Sequence, residues 1–224
     1  MSVTAIVPAA GAGIRMGTPL PKQYMKIHGK ELIAYTLEVF QKNKAVDIIV
    51  VAVHPDYFSL VEKIKKKYGI TKLTAIIKGG KERQDSVYAA LSSLSLLPAD
   101  LVAVHDAARP LLPQLVLTNA IRVAKEKGSA LVCIKARDTL LQADTNAAKY
   151  IDRSNVYYVQ TPQIFQYGKL MKAMEKARKE KFIGTDESML MRRAKYHVEV
   201  VDGSMLNFKV TTKEDLELLR KISR

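Results

Sequence analysis

The chain has 224 residues, and 36 Lys and Arg against 22 Asp and Glu give it a formal net charge of +14. Its hydrophobic content of 48% excludes an intrinsically disordered chain, and its length suits one large domain. The single cysteine, Cys133, excludes an intrachain disulfide framework and a cysteine-rich zinc site, and the positive charge favours acidic partners such as nucleic acids, phosphorylated metabolites or anionic membranes.

The amino-terminal residues enter an apolar run with no basic leader and no long hydrophobic region, which predicts neither a signal nor a transit peptide. No apolar stretch approaches the roughly 20 residues that a membrane-spanning helix needs. Together with the single cysteine, this predicts a soluble protein of a reducing, cytoplasmic compartment without a membrane partner.

Short β-branched runs alternate with longer amphipathic segments, which is typical of strands and helices around a largely parallel sheet. The predicted strands are residues 4–7, 47–53, 73–77, 101–104, 129–134 and 198–201. The predicted helices are residues 31–41, 57–68, 84–95, 113–127, 168–181 and 212–223. The strands are mostly continuous apolar runs, as expected where helices cover both faces of a sheet. Thr212 and Asp215 predict a capping box for the last helix.

Residues 135–158 interrupt this alternation, because they are polar, rich in turn residues and flanked by strand-like runs. They predict a β-hairpin arm that projects from the sheet. An isolated two-stranded hairpin is marginally stable in water, so packing on a second copy of the chain is favoured over a mobile surface hairpin. We therefore expect one domain over residues 1–224 with a dimerisation arm at about 135–158.

A glycine-rich loop follows the first predicted strand, where residues 8–17 read Pro-Ala-Ala-Gly-Ala-Gly-Ile-Arg-Met-Gly. Closely spaced glycines let backbone amides approach an anion, which predicts a phosphate cradle. The third glycine is one residue late for a dinucleotide fingerprint, and the Gly-Lys-Ser/Thr ending of a Walker A loop is absent. Arg15 and Lys22 can neutralise a polyphosphate from two sides, unless the loop is only a structural turn with solvated charges.

Two further strand ends carry candidate binding residues. Residues 79–87 read Gly-Gly-Lys-Glu-Arg-Gln-Asp-Ser-Val, and Ser86 there either binds a ligand or caps the following helix. Asp106 lies just past the carboxyl end of an apolar strand, where it is either a magnesium ligand or a turn residue. His105 is expected to be structural.

Seven motifs occur in order along the chain. They are Pro-Ala-Ala-Gly-x-Gly-x-Arg-Met-Gly from residue 8, Pro-Lys-Gln-Tyr from 21, Gly-Gly-x-x-Arg-Gln-x-Ser-Val from 79, His-Asp-Ala-Ala-Arg-Pro from 105, Thr-Pro-Gln-x-Phe from 161, Thr-Asp-Glu from 185 and Asn-Phe-Lys-Val-Thr from 207. In this order they resemble the 2-C-methyl-D-erythritol 4-phosphate cytidylyltransferase family over essentially the whole chain.

The resemblance implies a Rossmann-like α/β nucleotidyltransferase fold, with a mostly parallel twisted sheet, helices on both faces and a projecting β-arm that joins a homodimer. It also implies that CTP and 2-C-methyl-D-erythritol 4-phosphate react to give 4-diphosphocytidyl-2-C-methyl-D-erythritol and pyrophosphate. That reaction is a step of the non-mevalonate pathway to isoprenoid precursors.

Residue roles follow from the same resemblance. The expected CTP-binding residues are Pro8, Ala9, Ala10, Gly11, Gly13, Arg15, Lys22, Gly79, Gly80, Arg83, Ser86, Asp106 and Ala107, of which Gly79, Gly80, Arg83 and Ser86 would read cytosine. The expected acceptor-binding residues are Asp106, Arg109, Thr139, Arg153 and Thr161. The expected catalytic residues are Arg15, Lys22 and Lys209, with Asp106 as the protein ligand of Mg²⁺.

Two alternatives remain at this point. The family often has an acidic residue where this chain has Leu206, and Leu206 and Met205 instead resemble the ribitol-5-phosphate cytidylyltransferases. Without that acid, the expected metal shell is Asp106, phosphate oxygens and water. The net charge alone would suit a nucleic-acid-binding protein, but Glu175 and Glu180 alternate with cations on the basic helix, which is typical of a solvated face, and no nucleic-acid-binding motif is present.

Overall fold

The computed structural model describes residues 1–11, 20–144 and 147–223, and its centre is a seven-stranded sheet. The strands of this sheet are β1 (Val3–Ala9), β4 (Ile48–Val53), β5 (Leu73–Lys78), β6 (Leu101–Val104), β7 (Ser129–Lys135), β10 (Tyr157–Gln166) and β11 (Val200–Asp202). Two small antiparallel pairs are β2 (Lys26–Ile27) with β3 (Lys30–Glu31) and β8 (Leu140–Asp144) with β9 (Ala147–Ile151). The helices of the described residues are α1 (Leu32–Lys42), α2 (Phe58–Lys67), α3 (Arg83–Ser92), α4 (Gln114–Lys127), α5 (Tyr167–Lys179), α6 (Glu187–Arg193) and α7 (Lys213–Ile222).

The strand order is β11-β7-β10-β6-β1-β4-β5, and β10 runs antiparallel between β7 and β6 while the other pairs are parallel. The first strand pairs with β4 on one side and with β6 on the other. The carboxyl ends of β1, β4, β5 and β6 therefore share one edge of the sheet. Ligands of open α/β sheets bind at this edge.

Helices cover both faces of the sheet, and successive side chains of β1 face opposite layers. Ala5 and Val7 are buried with α1, α2 and α4, whereas Ile6 is buried with α3, α5 and α6. A smaller cluster joins Leu216 and Leu219 of α7 to the start of α1. The predicted parallel sheet with helices on both faces is confirmed.

Each predicted strand and helix is present, with shifts of a few residues at the ends. The capping box of α7 is also confirmed, because the Thr212 side chain accepts from the Asp215 backbone and the Asp215 carboxylate accepts from the Thr212 backbone. The predicted hairpin is present as the β8–β9 pair, but it is shorter than residues 135–158. Lys135 closes β7, and Tyr157 and Tyr158 open β10, so the flanks belong to the main sheet.

The short β2–β3 pair, the strand β10 and the helix α6 were not predicted. The strand β10 contains Pro162 and shifts register between Val159 and Gln163, and proline inside an apolar run argues against a central strand when only the sequence is read. The helix α6 has only seven residues, and its Asp186 cap accepts from the Met189 backbone 2.9 Å away. In the part of the chain that the structure describes, no helix is long and apolar enough to cross a membrane.

Candidate active site

A cavity of about 540 Å³ opens where β1 and β6 end. Five segments line it: the end of β1 with the start of its loop, the turn at Lys22 and Gln23, the residues that lead into α3, the turn after β6 and the segment around Lys209. Most of the residues predicted to bind CTP are among the lining residues, namely Pro8, Ala9, Ala10, Gly11, Lys22, Gly80, Arg83, Ser86, Asp106 and Ala107. The predicted Gly13 and Arg15 lie outside the described residues.

The start of the glycine-rich loop is held by the side chain of Gln23. Its Nε2 donates to the carbonyl oxygens of Ala9, at 2.8 Å, and Gly11, at 2.9 Å. The Tyr24 hydroxyl donates to the Ala9 carbonyl as well, at 3.3 Å. These hydrogen bonds to the carbonyls of Ala9 and Gly11 fix the backbone of the loop where it meets the cavity. We did not predict this role of Gln23 from the Pro-Lys-Gln-Tyr run.

The glycine pair before α3 is required by close packing. A Cβ atom on Gly79 would lie 2.4 Å from the Ala10 Cβ, and one on Gly80 would lie 2.3 Å from the Asp85 Cβ. The Ser86 hydroxyl accepts from the Gly80 amide at 3.1 Å and donates to the Glu82 carbonyl at 3.2 Å. Glu82 and Asp85 form the capping box of α3, so Ser86 supports the turn instead of capping the helix.

Asp106 is nearly buried and lies among three cations. Its Oδ1 accepts from Arg83 Nε at 3.0 Å, and its Oδ2 lies 2.9 Å from Lys209 Nζ and 3.6 Å from Arg109 Nε. Burial raises the pKa of the Asp106 carboxyl, but the three cations lower it more, so this pKa lies far below its ordinary value. The carboxylate therefore stays ionised at any working pH.

The Arg83 guanidinium bridges two carboxylates. Besides its bond to Asp106, its Nη1 donates to Glu187 Oε1 at 2.7 Å, and the Glu187 side chain is only 1% exposed. Glu187 belongs to the Thr-Asp-Glu motif, which the sequence singled out without assigning a role to this carboxylate. Arg83 lines the cavity, but its predicted contact with cytosine would have to coexist with both ion pairs.

The turn after β6 rests on a buried hydrogen-bond chain. The imidazole Nε2 of His105 faces the Arg109 carbonyl at 3.0 Å and must donate to it, so Nδ1 accepts from the Thr161 hydroxyl at 3.0 Å. The Thr161 oxygen in turn accepts from the Asp106 amide at 3.1 Å. Burial lowers the pKa of His105 to about 4, so the ring is neutral. His105 is structural, as predicted, and the Thr161 hydroxyl is engaged inside the protein.

The two predicted catalytic lysines meet at one short segment although they are far apart in sequence. Lys22 Nζ donates to the Val210 carbonyl at 2.6 Å, and Lys209 pairs with Asp106. The Val210 amide donates to the Ala108 carbonyl at 2.8 Å, which ties this segment to the turn after β6. Both lysines therefore line the same cavity.

Asp106 suits magnesium as a single ligand, because Mg²⁺ prefers carboxylate and phosphate oxygens. Within residues 1–11, 20–144 and 147–223, no cluster of three or more His, Cys, Asp and Glu side chains is placed to hold a metal ion. Leu206 is 54% exposed and lines a second cavity of about 430 Å³ together with Leu111 and Ile222. The described part of the chain thus fits an ion that brings phosphate and water ligands with it, and it contains no preformed metal cage.

The predicted acceptor-binding residues are not all at this cavity. Arg109 lies beneath it, where its Nη1 donates to the Asn207 carbonyl at 2.7 Å. Thr139 and Arg153 are exposed at the base of the β8–β9 arm, and the Arg153 guanidinium donates to the Arg137 carbonyl. Neither Thr139 nor Arg153 lines the cavity.

The whole chain also matches one family. The model of the 2-C-methyl-D-erythritol 4-phosphate cytidylyltransferase family matches residues 3–223. The chain belongs to this family. The 2-C-methyl-D-erythritol 4-phosphate cytidylyltransferase of Geotalea uraniireducens is 39% identical to it, covering 97% of this chain and 95% of that protein. The one from Bacillus cytotoxicus is 40% identical, covering 95% of this chain and 94% of that protein.

Solved structures agree with this membership. The 2-C-methyl-D-erythritol 4-phosphate cytidylyltransferase of Thermus thermophilus has a TM-score of 0.83 at 30% identity, with 100% of both chains covered. The 4-diphosphocytidyl-2C-methyl-D-erythritol synthase of Anaerococcus prevotii has a TM-score of 0.85 at 26% identity, covering 100% of this chain and 99% of that one. The predicted nucleotidyltransferase fold and the methylerythritol phosphate cytidylyltransferase family are confirmed, and the family match favours methylerythritol phosphate over ribitol 5-phosphate as the acceptor.

Proposed function

We propose that this chain transfers the cytidylyl group of CTP to 2-C-methyl-D-erythritol 4-phosphate, releasing pyrophosphate and forming 4-diphosphocytidyl-2-C-methyl-D-erythritol for isoprenoid precursor synthesis. The observation that carries the proposal is the meeting of the first residues of the glycine-rich run (8–11), two lysines and an ionised aspartate in one cavity. Membership of the family supports both substrates. A cytoplasmic location fits the chemistry of the single buried thiol, Cys133.

The reaction needs no protein nucleophile. A phosphate oxygen of the acceptor attacks the α-phosphorus of CTP and forms a new P–O bond. The bond between the α-phosphorus and the oxygen that bridges it to the β-phosphorus breaks. The electron pair of that bond leaves with pyrophosphate. Both reactants are polyanions that repel each other, so catalysis consists of holding them in line and stabilising the negative charge that develops.

Lys22 and Lys209 supply that stabilisation in the proposal. Lys22 stands beside the loop that would hold the triphosphate, whereas Lys209 stands beside Asp106, so the two ammonium groups approach the reacting phosphates from different walls. Arg15 is proposed as a third cation from its place in the glycine-rich run. Fixed charges in a partly desolvated cavity act more strongly than the same charges in water.

Magnesium is part of the proposal as an ion carried by CTP. Asp106 would be its protein ligand, and the bound ion would neutralise part of the triphosphate charge. The chain's own contribution is to keep this carboxylate ionised and oriented through its ion pairs with Arg83 and Arg109.

We also propose that the β8–β9 arm joins two copies of the chain. Leu141 and Tyr150 of the arm are 52% and 73% exposed, so the arm presents apolar surface that a second copy would bury. Thr139 and Arg153 would then reach the acceptor in the site of that second copy. Mixing equal amounts of Lys209→Ala and Arg153→Ala chains tests this. On random pairing about half of the dimers are mixed and each mixed dimer has one intact site, so roughly a quarter of the wild-type activity should return. No gain over the separate variants would refute it.

Pyrophosphate release with CTP and one acceptor at a time tests the function. We expect turnover with 2-C-methyl-D-erythritol 4-phosphate and much less with ribitol 5-phosphate, and competition by the other nucleoside triphosphates would show whether cytosine is selected. Preference for ribitol 5-phosphate would refute the acceptor and keep the reaction class. No release with either acceptor would refute the proposal.

A further inference from the structure

Glu187 is a buried carboxylate outside the cavity wall that is connected to the wall by one side chain. Its Oε1 accepts from Arg83 Nη1 at 2.7 Å, and Nε of the same guanidinium donates to Asp106 Oδ1 at 3.0 Å. The other oxygen of Asp106 lies 2.9 Å from Lys209 Nζ. A continuous line of charged contacts therefore runs from α6 to a lysine of the cavity.

This carboxylate is not explained by helix capping. Asp186 accepts from the Met189 amide at 2.9 Å and so caps α6, while the buried Oε2 of Glu187 has no hydrogen-bond partner in the structure. Burying a carboxylate is unfavourable unless it is paired and hydrogen-bonded. The bond to Arg83 is thus the contact that accounts for a charged residue at this position.

The backbone around Glu187 is fixed to the main sheet. The next residue, Ser188, donates from its amide to the Gln163 side chain at 2.9 Å, and Gln163 lies in β10 with 1% of its surface exposed. The Asp186 cap holds the helix on the other side of Glu187. Arg83 is consequently attached to a rigid point that lies outside the binding loops.

The two carboxylates also determine where the Arg83 guanidinium can go. Held by Glu187 through Nη1, it presents Nε to one oxygen of Asp106 and leaves the other oxygen facing Lys209. Without a negative charge at residue 187, the guanidinium would keep Asp106 as its one carboxylate partner among the described contacts. It would then be drawn toward the cavity, and the pairing between Asp106 and Lys209 would shift.

We propose that Glu187 is a positioning residue for the transfer reaction, acting through Arg83 and Asp106 to hold Lys209 beside the reacting phosphates. This inference rests on the proposed function. It concerns a residue that touches neither substrate and acts on Lys209, the proposed stabiliser of the developing charge, so we expect its effect chiefly in turnover.

Glu187→Gln tests it, because glutamine keeps the size and the accepting oxygen but removes the charge. We expect kcat to fall about ten- to hundredfold, as for a displaced catalytic group, while the KM for CTP stays within about threefold of the wild-type value. Glu187→Asp keeps the charge and withdraws it from Arg83, and it should also lower kcat. Asp186→Asn is the matched control, since asparagine removes a neighbouring charge, keeps an oxygen that can cap α6 and does not touch Arg83, so kcat should stay near wild type.

Wild-type kcat in both Glu187 variants would overturn the inference. An equal loss in Asp186→Asn, accompanied by a lower melting temperature, would also overturn it, because the helix and not the contact would then be responsible. Nitrogen-15 NMR of the Arg83 Nη1–H group, which donates to Glu187, gives a readout that does not depend on activity. The signal should be protected from exchange in the wild type and in Asp186→Asn and lose protection in Glu187→Gln, and an unchanged signal would refute the contact line. A wild-type protein without turnover would refute the proposed function, and the NMR signal would still test the contact between Glu187 and Arg83.

Discussion

Lys209→Ala should abolish most of the turnover while leaving the fold intact. The ammonium group lies 2.9 Å from an ionised Asp106 and lines the cavity. At an effective dielectric constant of about 20, unit charges about 4 Å apart interact by about 4 kcal/mol. The lysine side chain is 34% exposed, which reduces this figure to about 3 kcal/mol for a developing phosphate charge. Since each 1.4 kcal/mol is about tenfold in rate, kcat should fall by about 10²- to 10³-fold.

The assay is steady-state pyrophosphate release at saturating CTP and acceptor, with thermal unfolding measured on the same samples. The ion pair to Asp106 is partly exposed and should contribute only about 1 kcal/mol to the free energy of unfolding, so the melting temperature should change by a few degrees. Lys213→Ala is the matched control, because Lys213 is exposed at the start of α7. A Lys209→Ala protein that keeps turnover within threefold of wild type would remove this lysine from the mechanism.

Three further predictions concern the supports of the site. Gln23→Leu removes one buried and one partly buried hydrogen bond to the loop, so calorimetry should show CTP binding weakened about tenfold, and unchanged affinity would contradict the role of Gln23. Gly79→Ala places a Cβ 2.4 Å from the Ala10 Cβ and should lower the free energy of unfolding by about 1–3 kcal/mol, whereas Gly11→Ala, where a Cβ meets nothing within 4 Å, should not. The folded-state pKa of His105 is about 4, below the ordinary value of 6.5, so between these values the unfolded chain binds the extra proton and stability falls as the pH falls. In that window the free energy of unfolding of the wild type should fall by about 1.4 kcal/mol per pH unit more than that of His105→Gln. Urea unfolding at several pH values measures this difference, and an equal pH dependence in the two proteins would refute the buried neutral ring.

The layers of the fold could be predicted from the sequence because they depend on local signals. Continuous apolar runs such as that of β4 predicted buried strands, and the Thr212 and Asp215 pair predicted the start of α7. The strand β10 could not be found in this way, because Pro162 interrupts it and its partners β6 and β7 are fixed only by long-range pairing. The position of a strand in a sheet depends on the strands that pair with it, and a local sequence pattern does not identify them.

Local motifs indicated residues that meet at the cavity, but not the contacts that depend on residues far away in sequence. Lys22, Lys209 and Asp106 were expected to cooperate, and the structure brings them to one cavity. The role of Gln23 depends on which carbonyls fold beside its amide, and that of Glu187 depends on Arg83, which lies 104 residues away in sequence. Such contacts leave no pattern in the local sequence. A polar side chain in a motif can either support the site or bind a ligand, and the motif alone does not distinguish the two.

The segment that carries Lys209 shows how a site can be rigid without regular secondary structure. The Asn207 side chain is fully buried and donates to the Thr161 carbonyl at 2.7 Å, and the Asn207 carbonyl accepts from Arg109. Val210 is held at its amide by Ala108 and at its carbonyl by Lys22. Lys209 is therefore fixed on both sides by bonds to three different parts of the chain. One of these bonds comes from Lys22 itself. If Lys22 binds the triphosphate as proposed, the nucleotide competes with the Val210 carbonyl for this ammonium group, so we expect nucleotide binding to be coupled to the position of Lys209.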